Sequence, residues 1–369
     1  MMRLEDLPTP CLVLDRIVLE RNLEAMRVVA RRHGVVLRPH LKTAKSADVA
    51  RLAHGGEAGP ITVSTLAEAE YFARHGFRDI TLAAGITPQK LGRAAALVES
   101  GVMLNIITDD VTVAKCMGSH ITAMRALIEI DSGEGRAGIP AGSDALLEIG
   151  HALGQRLGGV LTHGGHSYSC RDAECAADVA EQERAALVMA AGRLRDAGMN
   201  CETVSVGSTP SVTHARSLDG VTEVRPGVYM FGDLFQAEIG SCRREDIAVT
   251  VLASVIGRRE AESRFLVDAG SLALSKDRST GVTANDAGFG IVWDASGEPV
   301  FGECRVERVY QEHGVVARDP SVPVVELPVG TKVRIAPNHA CLTAAAYECY
   351  YVVEGGDEVV AVWERINGW

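Results

Sequence analysis

From Gly34 onward, short apolar runs alternate with helix-patterned segments, and this alternation constrains the chain more than any other feature. Gly34-Val35-Val36-Leu37 reads as a buried strand. Further strands are expected at 61–64, 79–83, 103–107, 125–130, 159–162, 203–206 and 222–224. Helices are expected between them at 46–54, 66–75, 88–100, 110–118, 144–156 and 172–197, with a short one after 206. Apolar residues recur at helical spacing in the longer segments and run continuously in the short ones. Eight strands, each but the last followed by a helix, over roughly 200 residues, match a (β/α)8 barrel. An open doubly wound sheet is the other architecture with this alternation. The count of eight and the lack of an early GxGxxG loop favour the barrel.

The flanks read differently. Residues 10–15 form a strand, and Asp15 then caps a helix running to Arg32, with Leu19, Leu23, Met26 and Val29 on one face. After Asp233 the pattern turns to alternation, with strands expected at 247–257, 265–268, 305–312, 324–327, 332–335, 350–353 and 359–363, separated by Gly, Asp and Pro turns. The expected division is a barrel over 23–245 and a mainly β domain formed by 1–22 and 246–369. Aromatics make up only 5% of the chain, so the core must be built from Ala, Val, Leu and Ile. A net charge of −11 argues against a nucleic-acid surface. The basic residue near the start is followed by no apolar segment, and no apolar run is long enough to span a membrane. The nine cysteines are scattered and odd in number, which reads as reduced thiols in a cytoplasmic protein. Cys170 and Cys175 fit no common metal spacing and read as plain thiols.

In a barrel, chemistry gathers at the carboxyl ends of the strands, and phosphates often sit after strands seven and eight. Strand seven ends in Gly207-Ser208-Thr209-Pro210-Ser211, where small residues free backbone amides and a short helix follows. Strand eight ends in Arg225-Pro226-Gly227-Val228-Tyr229. These are either a phosphate cradle or two ordinary turns. Strand one ends in Arg38-Pro39-His40-Leu41-Lys42-Thr43. A lysine there is suited to an imine with an aldehyde cofactor, given burial that disfavours its ammonium form. A lysine and a phosphate cradle at one barrel mouth describe pyridoxal phosphate.

Other strand ends add to the mouth. Strand five leads into Asp131-Ser132-Gly133-Glu134-Gly135-Arg136, where Arg136 either donates to the cofactor's phenolate oxygen or is simply solvated. Strand six ends in His163-Gly164-Gly165-His166-Ser167-Tyr168. Without a nearby acidic residue these histidines read as cofactor lining rather than a metal pair. Far down the chain, Pro337-Asn338-His339-Ala340-Cys341 offers a histidine and a thiol two residues apart. On an extended segment both would share a face and suit zinc, with positions left open to substrate. They read equally as a core histidine and a buried thiol.

Taken together, Arg38 to Thr43, Thr62-Val63-Ser64-Thr65, Gly207 to Pro210, Thr222 to Tyr229, Gln311-Glu312-His313-Gly314 and Pro337 to Cys341 resemble the D-serine dehydratase and D-threonine aldolase family. These are fold-type III pyridoxal phosphate enzymes, and the resemblance runs almost end to end. It is greatest to the dehydratase branch that includes D-threo-3-hydroxyaspartate dehydratase. It implies that Lys42 carries the cofactor, that Gly207, Ser208, Thr209, Gly227 and Tyr229 cradle its phosphate, and that Arg136 and Tyr168 lie near its ring. Arg225 fits an alanine-racemase-like partner of the pyridine nitrogen. A divalent metal (zinc, or magnesium or manganese) is implied on His339 and Cys341, and the cysteine is the dehydratases' choice where aldolases more often carry aspartate. The implied reaction is elimination of water from a D-β-hydroxy amino acid, in a homodimer. Aldol cleavage with His166 as base is the alternative within the family, and a non-catalytic pyridoxal phosphate carrier the alternative outside it.

Overall fold

The computed structural model describes residues 2–122, 124–322 and 326–369. These form two compact units, one of Glu24–Gly227 with the last two residues, the other of Met1–Leu23 with Val228–Asn367. Residues 228–245, expected with the barrel, therefore group with the β-rich unit.

The chain enters through β1 (Cys11–Asp15) and α1 (Arg16–His33). Leu19, Leu23, Met26 and Ala30 recur at helical spacing on α1 and are buried. The first unit then contains β2 (Val36–Leu37), β3 (Ile61–Val63), β4 (Asp79–Gly85), β5 (Met103–Thr108), β6 (Arg125–Asp131), β7 (Ile139–Pro140), β8 (Leu157–Leu161), β9 (Thr203–Val206) and β10 (Glu223–Val224). All but β7 form one parallel sheet in the order β2-β10-β9-β8-β6-β5-β4-β3. A parallel bridge from His40, just past β2, to Thr62 of β3 closes the ring. This is the eight-stranded barrel. Its strands are buried on both faces, so they read as apolar runs rather than alternation. The short β7, which pairs with the end of β6, carries no sequence signal of its own.

Between strands run α2 (Ala47–Ala53), α3 (Leu66–Arg74), α4 (Leu91–Glu99), α5 (Val111–Ser119), α6 (Ala145–Leu153), α7 (Ala173–Asp196) and α8 (Thr209–His214). Several begin on a side-chain cap. Thr65 accepts from Glu68 N, Asp110 from Val113 N and Asp172 from Cys175 N. Each satisfies an amide the helix itself cannot pair. Cys170 and Cys175, expected as plain thiols, are joined as a disulfide, and the other seven cysteines are in no disulfide. The reason is local: the turn capped by Asp172 brings the two residues to a Cα separation of 5.5 Å, within bridging range.

The second unit adds α9 (Leu234–Glu238), β11 (Val249–Arg259), β12 (Arg264–Val267), α10 (Ser271–Leu274), β13 (Gly290–Asp294), β14 (Arg305–Val309), β15 (Gly314–Ala317), β16 (Lys332–Pro337), α11 (Ala340–Ala344), β17 (Cys349–Val353) and β18 (Ala361–Glu364). The order β12-β15-β14-β13-β16-β11, with β11 pairing back to β12, is a closed antiparallel barrel. An irregularity between Val255 and Gly257 bends β11, so its first half pairs with β16 and β1 and its second half with β12. β1, β17 and β18 extend the sheet beyond β11. The single strand expected over 305–312 is a hairpin instead, turned where Tyr310 N donates to His313 O at 2.8 Å. β13 was not anticipated. Half of the strand expected at 324–327 lies outside the described residues, and 326 and 327 are not in a strand. No helix among the described residues is long and apolar enough to cross a membrane.

Candidate active site

Lys42 stands in a tight turn at the carboxyl end of β2. Leu41 N donates to Thr62 O at 2.8 Å and Lys45 N to Leu41 O at 2.7 Å, which fixes the turn against β3. Lys42 itself is exposed, contrary to the burial expected of it. His40 and His163 both sense Lys42, Arg225 and Arg136. Burial, reinforced by these cations, holds His40 well below its ordinary range and pushes His163 down to about 3. Both rings are neutral, and the end of the barrel is electrostatically suited to an anion.

Arg225 is the most deeply built of these groups. It follows β10, is 4% exposed, and donates to Ser205 Oγ at 2.6 Å and to the Thr162 carbonyl. Ser205 in turn donates to Glu223 Oε1 at 2.6 Å, and Glu223 Oε2 accepts from Arg38 at 2.7 Å. Arg38 completes the chain on Asp79 at 2.7 Å. Burial lowers Arg225 to about 10, opposed by Glu223, Glu183 and Glu129, so it remains a cation. Its Nε is buried and has no hydrogen-bond partner among the described residues. A buried N–H without a partner is costly, and this one is held by a network that leaves only that atom uncommitted.

The loops after β8 and β9 are tied to each other. Glu183, buried on α7, accepts from Gly164 N at 2.6 Å and from Gly207 N at 3.2 Å, and burial raises its pKa. Ser167 and Ser208 share a hydrogen bond of 2.7 Å. Ser208 caps α8 in a reciprocal pair with Ser211. The Gly207 amide, expected to face a phosphate, is thus taken by Glu183. Gly207 has φ +118°, which explains glycine there. At Gly227 a Cβ would lie 3.0 Å from His40 O and 3.2 Å from Thr43 Oγ1, so glycine eases the close approach of the loop after β10 to the Lys42 turn.

The remaining expected residues are placed as follows. Arg136 lies exposed on a glycine-rich loop, 3.7 Å from Glu134, where Asp131 Oδ1 accepts from Gly133 N and Gly135 N. His166 Nε2 donates to Gln182 at 3.1 Å, and its ring lies 3.7 Å from where a Gly133 Cβ would be. Tyr168 is half-buried, with its ring 6.4 Å from that of His163. Tyr229 is buried in the turn Val228–Met230 at the start of the second unit's long segment.

His339 and Cys341 belong to the second unit. They do not share the face of an extended segment as expected. His339 is extended and is the N-cap residue of α11, and Cys341 lies in the helix's first turn. Asp233 shapes this corner, accepting from Ala340 N at 3.0 Å and from Gln236 N at 2.7 Å. Asp277 Oδ2 accepts from His339 Nδ1 at 2.5 Å, and the Cys341 thiol also hydrogen-bonds the ring. Burial opposes charge on His339, but these partners and Asp233 outweigh it and hold the ring up to about 11. Among the described residues no group of three or more His, Cys, Asp or Glu side chains could hold a metal. With Nδ1 committed to Asp277, the ring keeps Nε2 beside a soft thiol, which fits a metal held by two protein ligands.

Arg38, Ser205, Glu223, Glu183, Asp233 and Asp277 were not among the site residues read from sequence. Arg38 lies inside a motif quoted above, but Glu183 sits mid-helix and Asp277 in a polar loop, with no local pattern to mark either.

The profile of the alanine racemase N-terminal domain matches residues 14–234, and that of the serine dehydratase domain matches 248–353. The D-threo-3-hydroxyaspartate dehydratase of Delftia sp. (strain HT23) is 43% identical over 98% of both chains. The chain belongs to the D-serine dehydratase and D-threonine aldolase family. Within this family, the D-serine dehydratase of Dictyostelium discoideum is 31% identical over 99% of this chain and 98% of its own. The 3-hydroxy-D-aspartate aldolase of Paracoccus denitrificans is 30% identical over 97% and 91%. The solved structure of the Delftia family member superposes with a TM-score of 0.94 at 41% identity, covering 100% of both chains. That enzyme has also been solved as a histidine-to-alanine variant and as a cysteine-to-alanine variant in a metal-free form.

Proposed function

We propose that this protein is a pyridoxal 5'-phosphate- and divalent-metal-dependent dehydratase that removes water from a D-β-hydroxy amino acid, giving a 2-oxo acid and ammonia. The observation that carries the reading is the end-to-end likeness to a D-threo-3-hydroxyaspartate dehydratase at 43% identity. The unpartnered Arg225 Nε and the cations around it support the cofactor. Bound pyridoxal phosphate supplies an electron sink for the carbanion that forms at the substrate's Cα.

Lys42 would hold the cofactor through its amine, and the same amine is the group available to take the substrate's Cα proton. Arg225 would meet the pyridine nitrogen through Nε, the atom its network leaves uncommitted, and as a cation near neutrality would favour an unprotonated ring. The loop carrying Ser208 and Thr209 would line the phosphate, with Ser208 exchanging bonds that its amide and hydroxyl make to Ser211 and Ser167. Arg136 is available to the phenolate oxygen, with Tyr168 beside the ring. Hydroxide is a poor leaving group, and a divalent metal supplies Lewis-acid help at the substrate's β-oxygen. His339 and Cys341 would hold that metal, a reading supported by the relative's metal-free cysteine variant. The enzyme is proposed to act in the cytoplasm as a homodimer, and its mass in solution tests the second point.

The test is a panel of D-serine, D-threonine and 3-hydroxy-D-aspartate stereoisomers with products identified. A 2-oxo acid and ammonia are expected. Glycine and an aldehyde would instead mean aldol cleavage, with His166 as the base. No turnover on any of them would return the protein to a non-catalytic carrier of the cofactor.

A further inference from the structure

The corner around His339 contains two carboxylates with different tasks. Asp233 has both oxygens on backbone amides, Ala340 N and Gln236 N, so it caps helices. Asp277 has Oδ2 on the His339 ring at 2.5 Å and Oδ1 on the Ser279 hydroxyl at 2.9 Å. Its backbone amide is tied to Ser275 Oγ at 3.1 Å. Asp277 is thus held from both sides and aimed at one ring nitrogen.

Two independent features show that the chain is shaped to aim it. Ser275 ends α10 at φ 65° and ψ 174°. That region is essentially reserved for glycine. The strained residue lies two positions before Asp277. The buried Asn338 then pins the same loop to the residue preceding His339. Its Nδ2 donates to Thr280 Oγ1 and to Gly288 O, each at 2.7 Å, and its Oδ1 accepts from Thr280 N at 3.2 Å. The loop carrying Asp277 and the segment carrying His339 are therefore fixed to each other by a side chain with every polar atom in use.

We infer that Asp277 is a positioning residue for metal binding: it accepts the hydrogen bond from Nδ1–H of His339, fixes the ring's tautomer and rotation, and leaves Nε2 to the metal beside Cys341. The inference rests on the metal role proposed above. An imidazole whose far nitrogen donates to a carboxylate is a stronger and better-aimed ligand, and losing such a partner typically weakens a site about 10- to 100-fold.

The experiment uses the full-length enzyme with its pyridoxal phosphate, stripped of metal and titrated with zinc against a chromophoric chelator. Asp277→Ala is expected to bind zinc about 10- to 100-fold more weakly than wild type. Asp277→Asn, which keeps an oxygen to accept from Nδ1, is expected to fall between the two. Cofactor absorbance and melting temperature measured on the same samples separate aiming from folding. At saturating cobalt the thiolate-to-cobalt charge-transfer band should persist in both variants, because Cys341 still ligates. Zinc affinity of both Asp277 variants within about twofold of wild type, while His339→Ala loses it, would overturn the inference. Equal zinc binding by wild type and His339→Ala would instead overturn the metal reading on which it stands.

Discussion

The two histidines that matter most here live in opposite environments. His163, at the end of the barrel, is partly buried, feels the charges of Lys42, Arg136 and Arg225, and is pushed down to about 3. His339, at a corner of the β-rich unit, meets Asp277, Cys341 and Asp233 and is held up to about 11. Burial disfavours the charged form at both. The sign of the neighbouring charge decides between them. The first setting has an excess of cations and a neutral ring, and suits an anionic cofactor. The second has an excess of anions around an imidazole and a thiol, and suits a metal cation. One residue type thus reports which kind of ligand each region is built to receive.

The most severe way to break this comparison is to remove the amine from the cationic side. Lys42→Ala is expected to lower turnover by at least about 10³-fold, in the upper range for a positioned base, and to abolish the cofactor's imine absorbance. Near-normal turnover would mean that another lysine carries the cofactor. On the anionic side, His339→Ala or metal stripping should spare cofactor absorbance while lowering elimination by about 10²- to 10³-fold, the several kcal/mol expected of Lewis-acid help. Full activity after stripping would remove the metal from the reaction.

The network behind the cations can be tested by stability. Arg225→Ala removes the buried cation facing Glu183 and Glu129 and leaves Glu223 with Arg38 alone, and should destabilise the fold by about 3–5 kcal/mol in denaturant unfolding. A loss below about 1 kcal/mol would mean that those carboxylates are otherwise satisfied. The pH dependence of unfolding is a finer probe. His163 is neutral when folded and protonates near 6.5 when unfolded, so the unfolded chain binds the extra proton between those values. Its contribution is complete above pH 6.5 and is lost as pH falls toward about 3, at up to about 1.4 kcal/mol per pH unit. His163→Gln should flatten that part of the profile, and an unchanged slope would place the proton elsewhere. The smallest effect expected is at the disulfide. Under denaturing, non-reducing conditions seven thiols should titrate, against nine after reduction. Cys170→Ser should cost about 2 kcal/mol, the loop-closure value for so short a ring.

Local patterning was enough for the barrel, because each β/α unit announces itself. β3, β5, β6 and β9 are short apolar runs, and α3, α5 and α7 begin on Thr65, Asp110 and Asp172, residues whose side chains cap a helix wherever they occur. The β-rich unit was less legible. β13 and β15 are short and pair with distant partners, and the turn at Tyr310–His313 depends on a cross-strand bond rather than on a turn dipeptide. Site residues followed the same divide. Lys42, Arg225, Gly227, His339 and Cys341 stand at the ends of patterned elements, where chemistry is expected. Glu183, Glu223 and Asp277 act through bonds to residues far away in the chain.

What the sequence determined by itself, then, was the alternation that closes a parallel barrel, the strand ends that carry polar and basic residues, and the family pattern spread across both units. Those depend on periodicity and capping, which are local. The tertiary structure alone decided that Lys42 is exposed, that the Gly207 amide belongs to Glu183, that Cys170 and Cys175 are joined, and that Asp277 faces His339. Each of these is a pairing of polar groups across folded elements. Burial and charge at such a point are set by whichever groups the fold brings there, and no spacing along the chain encodes them.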